Sequence, residues 1–352
     1  MIFLVLPCNF NSGWGVCSTN LARELSQKTK IRYVSCELNN PTATRNPIEL
    51  AYFKSCEFTN LDYLKSQTQH PLVQAIQHDL SDYLGDFNGS RKIAITFADR
   101  KIPTALALRS KKFDVIVAGS VWCKELLEEY GVKSQVVLQG IDPLIFNKSR
   151  SKKQLFLDDF MVFSGGKFEH RKGQDITLKA YKILQDRYPD VKLVCAWTNP
   201  YTDESGVKAL QESGVDMNRV IMIPNMPNFM MAQIYQNTDV GMFPSRCEAG
   251  TNLVMMEYMA CGKPAIATIG TGQRDLISDK TGIALENSGI CDLVENGQVV
   301  SKWEEPNIDS AIDKLDWAYN HRAKIKPLGL QGAKLLSEYT WERMAQQLLS
   351  FM

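Results

Sequence analysis

No stretch of the 352-residue sequence approaches the roughly 18 apolar residues that would span a bilayer. The opening "MIFLVLP" is apolar but short, lacks a basic flank and ends in proline, which predicts a buried strand rather than a signal peptide. Charge bias is also missing. Forty Lys and Arg stand against 39 Asp and Glu, a formal net charge of +1, so nothing argues for a nucleic-acid partner. The first 150 residues carry a mild basic excess, 18 Lys and Arg against 14 Asp and Glu, which permits peripheral contact with an acidic inner membrane face without requiring it. The nine cysteines are odd in number and include no CxxC pair. They read as reduced thiols in the cytoplasm, not a disulfide framework. The four histidines are scattered without metal-ligand spacing, so neither a metal nor a resident cofactor is expected. Internal repeats and low-complexity tracts are lacking too.

What the sequence does contain is an alternation of short apolar runs with helical patterns. Strands are predicted at "IFLVL", "IRYVSCE", "KIAITF", "DVIVAG" and "QVVLQG", and then at "MVFSGG", "KLVCAW", "VIMIP", "DVGMFP" and "PAIAT". Runs of four to seven apolar residues without alternation suit strands buried on both faces, as in parallel sheets. The fold class is therefore α/β, with two Rossmann-like doubly wound sheets and a cleft at the carboxyl ends of their strands. Two domains also suit the length. The polar seam at 143–159 divides 1–150 from 151–340, and the segment from "WEEPNIDSAIDK" onward reads as helical.

Three places carry chemistry. In "PSRCEAGTNLVMMEYMACGKPAIAT" a strand ends at Pro244, a turn of small residues follows, and a nearly continuous apolar helix carries one carboxylate, Glu257, with Glu248 just ahead of its start. A carboxylate in such surroundings needs a partner, from the protein or from a ligand. Thr251 or Asn252 suits the N-cap, so the helix tip around Leu253 offers free N–H groups to a phosphate or sugar oxygen. Gly250 permits close approach to the backbone. In "FSGGKFEHRKGQDITLKA" the strand-end glycines Gly165 and Gly166 lead into a loop with four basic or His residues before Gly173. Two lysines five apart, Lys167 and Lys172, can compensate a diphosphate from two sides; the bland alternative is a solvated basic loop. The third place, "PCNFNSGWGVCSTN", imitates a dinucleotide fingerprint with Gly13, Gly15 and Ser18, and Glu37 stands where an NAD ribose ligand would. The third glycine of that fingerprint is missing. A glycine serving only helix–sheet packing is the structural alternative there.

The Pro244–Thr268 stretch closely resembles the nucleotide-sugar signature of the retaining glycosyltransferases of family 4, which have the GT-B architecture. The resemblance implies that Glu248 holds the transferred sugar and Glu257 the ribose. Eight residues separate the two here, where seven are usual, as if the turn held one more. It also implies that Lys167 and Lys172 neutralise the departing diphosphate, although the first is more often Arg. The Gly13–Gly15 turn would face donor and acceptor. Asp99 and Arg100, after "ITFA", would line the acceptor side, and Ser120 would cap a helix. Gly140 and Asp142 would shape a turn, as would Gly270 and Gly272. The last helix, about 341–352, would cross back to the N-terminal domain. The donor implied is a UDP- or GDP-sugar, with the base near the strand end "IPN", and the acceptor a sugar, glycan or lipid-linked hydroxyl. Closure of the two domains would exclude water. A nucleotide-sugar epimerase, an NAD enzyme and a non-catalytic binding relative remain alternatives.

Overall fold

The computed structural model describes residues 1–7, 12–35, 47–199 and 206–352. The chain divides into two compact units, Met1–Gly140 with Tyr339–Met352, and Ile141–Glu338. The division falls ahead of the seam at 143–159, whose middle forms a short 3-10 turn, Lys148–Ser151.

The first unit contains strands β1 Ile2–Leu6, β2 Ile31–Ser35, β3 Leu72–Ala75, β4 Lys92–Thr96, β5 Val115–Ala118 and β6 Gln135–Val136. They form one sheet in the order β2-β1-β3-β4-β5-β6, parallel throughout. Every residue of β1, β3 and β4 is buried, as the continuous apolar runs require. Helices α1 Gly13–Lys28, α2 Pro47–Cys56, α3 Leu61–Ser66, α4 Thr104–Arg109 and α5 Val121–Glu129 make the crossovers. Ser120 caps α5 as expected, its Oγ accepting from Cys123 N at 3.0 Å.

In the second unit lie β7 Phe160–Lys167, β8 Val191–Thr198, β9 Val220–Met222, β10 Val240–Phe243, β11 Ala265–Thr268 and β12 Ile283–Leu285. Their order, β12-β11-β10-β7-β8-β9, is that of the dinucleotide-binding doubly wound fold, reversing between β7 and β10. Helices α6 Gln174–Arg187, α7 Gly206–Glu212, α8 Met231–Gln236, α9 Leu253–Ala260, α10 Ile308–Asn320 and α11 Arg322–Leu336 accompany it.

Three elements depart from the sequence reading. Strand β3, whose run is broken by Gln74, and strand β12, which directly follows the polar "SDKTG", do not stand out as apolar runs. The third is an antiparallel hairpin, β13 Asn287–Glu295 and β14 Gln298–Pro306, so "WEEP" is strand, and the helix begins only after Asn307. The two-residue turn is Asn296 and Gly297, both at positive φ (50° and 75°), as a primed hairpin turn demands.

The final helix, α12 Trp341–Leu349, belongs to the first unit, as the sequence suggested. Its buried residues Trp341, Met344, Ala345 and Leu348 form one stripe at helical spacing. Lys28 of α1 pairs with Glu342 at 3.0 Å, and Arg91 Nε donates to Phe351 O at 2.5 Å. In the second unit, Lys263 is buried and donates to three carbonyls, of Ser151, Gln236 and Thr238, at 2.8–2.9 Å. Among the described residues, no helix is long and apolar enough to cross a membrane.

If α12 is an integral part of the first unit, Leu348→Ala should cost about 2–4 kcal/mol by loss of burial plus the residual cavity. The exposed Gln346→Ala should stay within about 0.5 kcal/mol of wild type. Urea denaturation of the two variants makes the comparison, and equal midpoints would mean that α12 is only loosely docked.

Candidate functional site

Strands β7 and β10 are hydrogen-bonded neighbours, Val240 opposite Val162 and Gly241 opposite Phe163. Their crossovers leave on opposite sides because the sheet order reverses here. The loops at their carboxyl ends therefore meet at the switch point where open α/β sheets bind ligands. Gly173 lets them come close. It sits at φ 66°, and a Cβ there would lie 2.0 Å from Pro244 O. A third loop, after β11, supports the turn from beneath. A Cβ on Gly272 would lie 1.9 Å from Gly250 O, so this glycine serves a close crossing, not merely the turn expected of it. Thr271 Oγ1 accepts from Glu248 N at 2.9 Å.

Glu248 is the centre of this arrangement and is only 4% exposed. Its Oε1 accepts from Lys172 Nζ at 2.7 Å, Ser245 Oγ at 2.7 Å and Asn252 Nδ2 at 2.9 Å. Its Oε2 accepts from Lys172 Nζ and Arg171 Nη1, both at 3.0 Å. Burial alone would raise the carboxyl pKa. The Lys172 and Arg171 cations override it and hold the group below its ordinary value. Lys172 is pulled downward by its own burial, against the opposing pull of Glu248.

Arg171 also donates to Glu169 Oε1 at 2.6 Å and to Cys247 O at 2.7 Å. Lys167 pairs with the other Glu169 oxygen at 2.9 Å. Burial opposes ionisation of Glu169, but Arg171, Lys172 and Lys167 bring its carboxyl from the ordinary 4.5 down to about 2. Three cations thus surround two carboxylates.

Of the two N-cap candidates, Asn252 is the cap. Its side chain accepts from Met255 N at 3.2 Å, and its backbone sits at φ 64°. Thr251 turns inward, its Oγ1 2.8 Å from Met256 Sδ. The eight residues between the glutamates divide into the turn 249–252 and the first residues of α9. Glu257 is 3% exposed. Asn228 Nδ2 donates to its Oε1 at 2.5 Å and Tyr235 OH to its Oε2 at 3.3 Å. Protein partners therefore stand beside both carboxylates that the sequence left open.

The second unit thus gathers Gly166, Lys172, Glu248, Gly250, Thr251, Asn252 and Leu253 around one corner. Gly166, at φ 121°, would place a Cβ 3.8 Å from Lys172 Cε. Lys167 flanks the corner through Glu169 but does not touch Glu248 in any of the bonds above. Gly13, Gly15 and Asp99 belong to the first unit. Gly13 opens α1, and Gly15 N donates to the Ser12 cap at 3.0 Å. Trp14 meets Phe97, just past β4, edge-on at 4.5 Å. Asp99 pairs with its neighbour Arg100 at 3.1 Å. Glu37 lies outside the described residues.

Sequence reasoning passed over Arg171, Glu169, Asn228, Tyr235 and Arg246. Arg171 and Glu169 stood inside the quoted basic loop, and Asn228 three residues beyond the quoted "IPN". The only signal for Arg246 was an arginine in an otherwise small and apolar stretch. Among the described residues, no group of three or more His, Cys, Asp or Glu could hold a metal ion.

Because the folded Glu169 carboxyl titrates near 2, below the ordinary 4.5, its contribution to stability is present above pH 4.5 and is lost as pH falls toward 2. Glu169→Gln should therefore flatten the acid limb of the stability–pH curve in that window. Denaturant midpoints measured from pH 2 to pH 6 would show it, and parallel curves would refute the pairing.

Comparison with known proteins bears on the same residues. Residues 159–299 match the family model described as glycosyl transferases group 1. A D-inositol 3-phosphate glycosyltransferase of Paenarthrobacter aurescens is 28% identical over 235 residues, 63% of this chain and 52% of the relative. The chain spans about half the length of the curated relatives it matches. Among solved structures, a sucrose-phosphate synthase from Thermosynechococcus elongatus aligns at a TM-score of 0.73 with 17% identity, covering 99% of this chain and 97% of its own. Anabaena HepE, in complex with UDP and glucose, aligns at 0.72 with 13% identity, covering 99% and 98%. Residues 159–299, which carry the whole Lys172–Glu248–Glu257 arrangement, are therefore the part of the chain that matches the glycosyl transferases of group 1, on a chain whose fold is of the GT-B class.

Proposed function

We propose that the chain is a retaining glycosyltransferase that moves a hexose from a UDP- or GDP-sugar to the hydroxyl of a sugar, glycan or lipid-linked acceptor. The observation that carries this reading is the buried Glu248 carboxylate, held by Lys172, Arg171 and Asn252 at the switch point beside the tip of α9. Such a cluster is a poor stabilising device, because desolvating the charges offsets most of their attraction. It makes sense as a place where cations are kept oriented for an anion that comes and goes.

Loss of the nucleotide diphosphate is the demanding step, and charge fixed in advance where negative charge develops lowers its barrier. Lys172 and Lys167, with the first-turn N–H groups of α9, would receive the diphosphate. As Lys172 turned toward it, the positions it occupies on the Glu248 oxygens would open to sugar hydroxyls, while Arg171, Ser245 and Asn252 kept the carboxylate in place. Glu257, already shaped by Asn228 and Tyr235 as a bidentate acceptor, would take the ribose. In this reading no resident metal or cofactor takes part, and a leaving-group oxygen removes the acceptor proton on the same face, which retains anomeric configuration. Gly13, Gly15 and Asp99 would serve the acceptor side. The reading places the chain in the cytoplasm, where nucleotide sugars and reduced thiols are expected together.

A mass-spectrometric screen of nucleotide sugars with and without hydroxyl acceptors should yield a transfer product, and its anomeric configuration by NMR should match that of the donor. An inverted product would sink the mechanism. Lys172→Ala and Glu257→Ala should each cut transfer at least tenfold, about 1.4 kcal/mol in barrier, in protein whose circular dichroism is unchanged. Full turnover by either folded variant would remove that residue from the site.

A further inference from the structure

Arg246 lies two residues before Glu248, is 3% exposed and touches neither Glu248 nor Lys172 in any bond given above. All five N–H donors of its guanidinium are nevertheless used. Nη1 donates to Asp175 Oδ1 and to His170 O, each at 2.8 Å. Nη2 donates to Asp175 Oδ2 at 2.8 Å and Glu305 Oε1 at 2.7 Å. Nε donates to Glu305 Oε2 at 2.6 Å. Two carboxylates are thus gripped bidentately, the strongest geometry a guanidinium offers. The backbone joins in: Arg246 N donates to Arg171 O at 2.8 Å, and Arg246 O accepts from Glu304 N at 3.2 Å.

The partners belong to three different elements. His170 and Arg171 are in the basic loop, Asp175 is in the first turn of α6, and Glu305 is on β14 of the hairpin. A further contact, Cys291 Sγ to His170 Nε2 at 3.5 Å, joins the same loop to β13. Lysine could pair with one of these carboxylates, but its point charge cannot span both forks.

We propose that Arg246 is a positioning residue: through Glu305 it anchors the loop 168–172 to the β13–β14 hairpin, and so sets where Lys172 meets the β-phosphate of a nucleotide diphosphate. The inference rests on the donor reading above and deepens it. Without the Glu305 carboxylate, two buried guanidinium donors lose their partner and the loop loses its outer wall, while the Glu257 pocket is untouched. The effect should therefore fall on the phosphate farther from the ribose.

Calorimetric titration of the full chain with UDP and UMP, and with GDP and GMP, separates the possibilities. Glu305→Gln and Arg246→Lys should each weaken the diphosphate about tenfold while leaving the matching monophosphate within about twofold, since one charge-assisted contact is at stake. Glu305→Asp, which keeps the charge, should recover part of the loss. Equal weakening of both ligands would show a merely structural role, and unchanged binding of both would show no role; either overturns the clamp. Wild-type protein that bound none of the four nucleotides would instead overturn the donor reading, and the clamp with it.

Discussion

A single buried carboxylate organises the second unit. Glu248 sits where two neighbouring strands send their chains apart, and it can stay ionised only because Lys172 and Arg171 are delivered to it from the other strand's loop. That requirement fixes much else. Gly173 must lack a side chain for the loops to approach, Asn252 must both cap α9 and donate to the carboxylate, and Gly272 must pass beneath the turn. Replacing so polar a centre with apolar residues would cost the fold little and could even stabilise it.

The two units solve the same topological problem with different emphasis. Both sheets are six-stranded, parallel and covered by helices, but their strand orders differ. The charged residues described above concentrate in the second, whose order is that of nucleotide-binding sheets. The first unit instead brings the glycine-containing start of α1, through Trp14 and Phe97, to the end of β4, with the adjacent Asp99–Arg100 pair. Its closing helix comes from the far end of the chain.

Legibility in the sequence tracked locality. The strands of the parallel sheets were readable where burial on both faces wrote unbroken apolar runs, as in "IFLVL" or "KLVCAW", and not where a polar residue broke the run, as Gln74 does in "LVQA". The hairpin was misread because its strands are mostly solvent-facing and charged, so Trp303 and the two following glutamates imitated a helix start. Lys172, Glu248 and Glu257 could be found because each sits in a short motif with its own backbone logic. Arg171 and Arg246 could not be assigned roles, since what distinguishes them from surface arginines is the company they keep from elements dozens of residues away. The choice between Thr251 and Asn252 as cap turned on a positive φ that sequence leaves open.

Lys172 and Glu248 are 76 positions apart in the chain, yet the strands leading to them lie side by side in the sheet. Everything between leaves the pair by α6 and returns through β10, a closed excursion that carries β8, β9 and Asn228. Substitutions, shortenings or extensions in the outer parts of that excursion leave the geometry at its two ends alone. The charged corner and the segment carrying Asn228 are therefore tied to each other through the sheet and not through the length of chain between them.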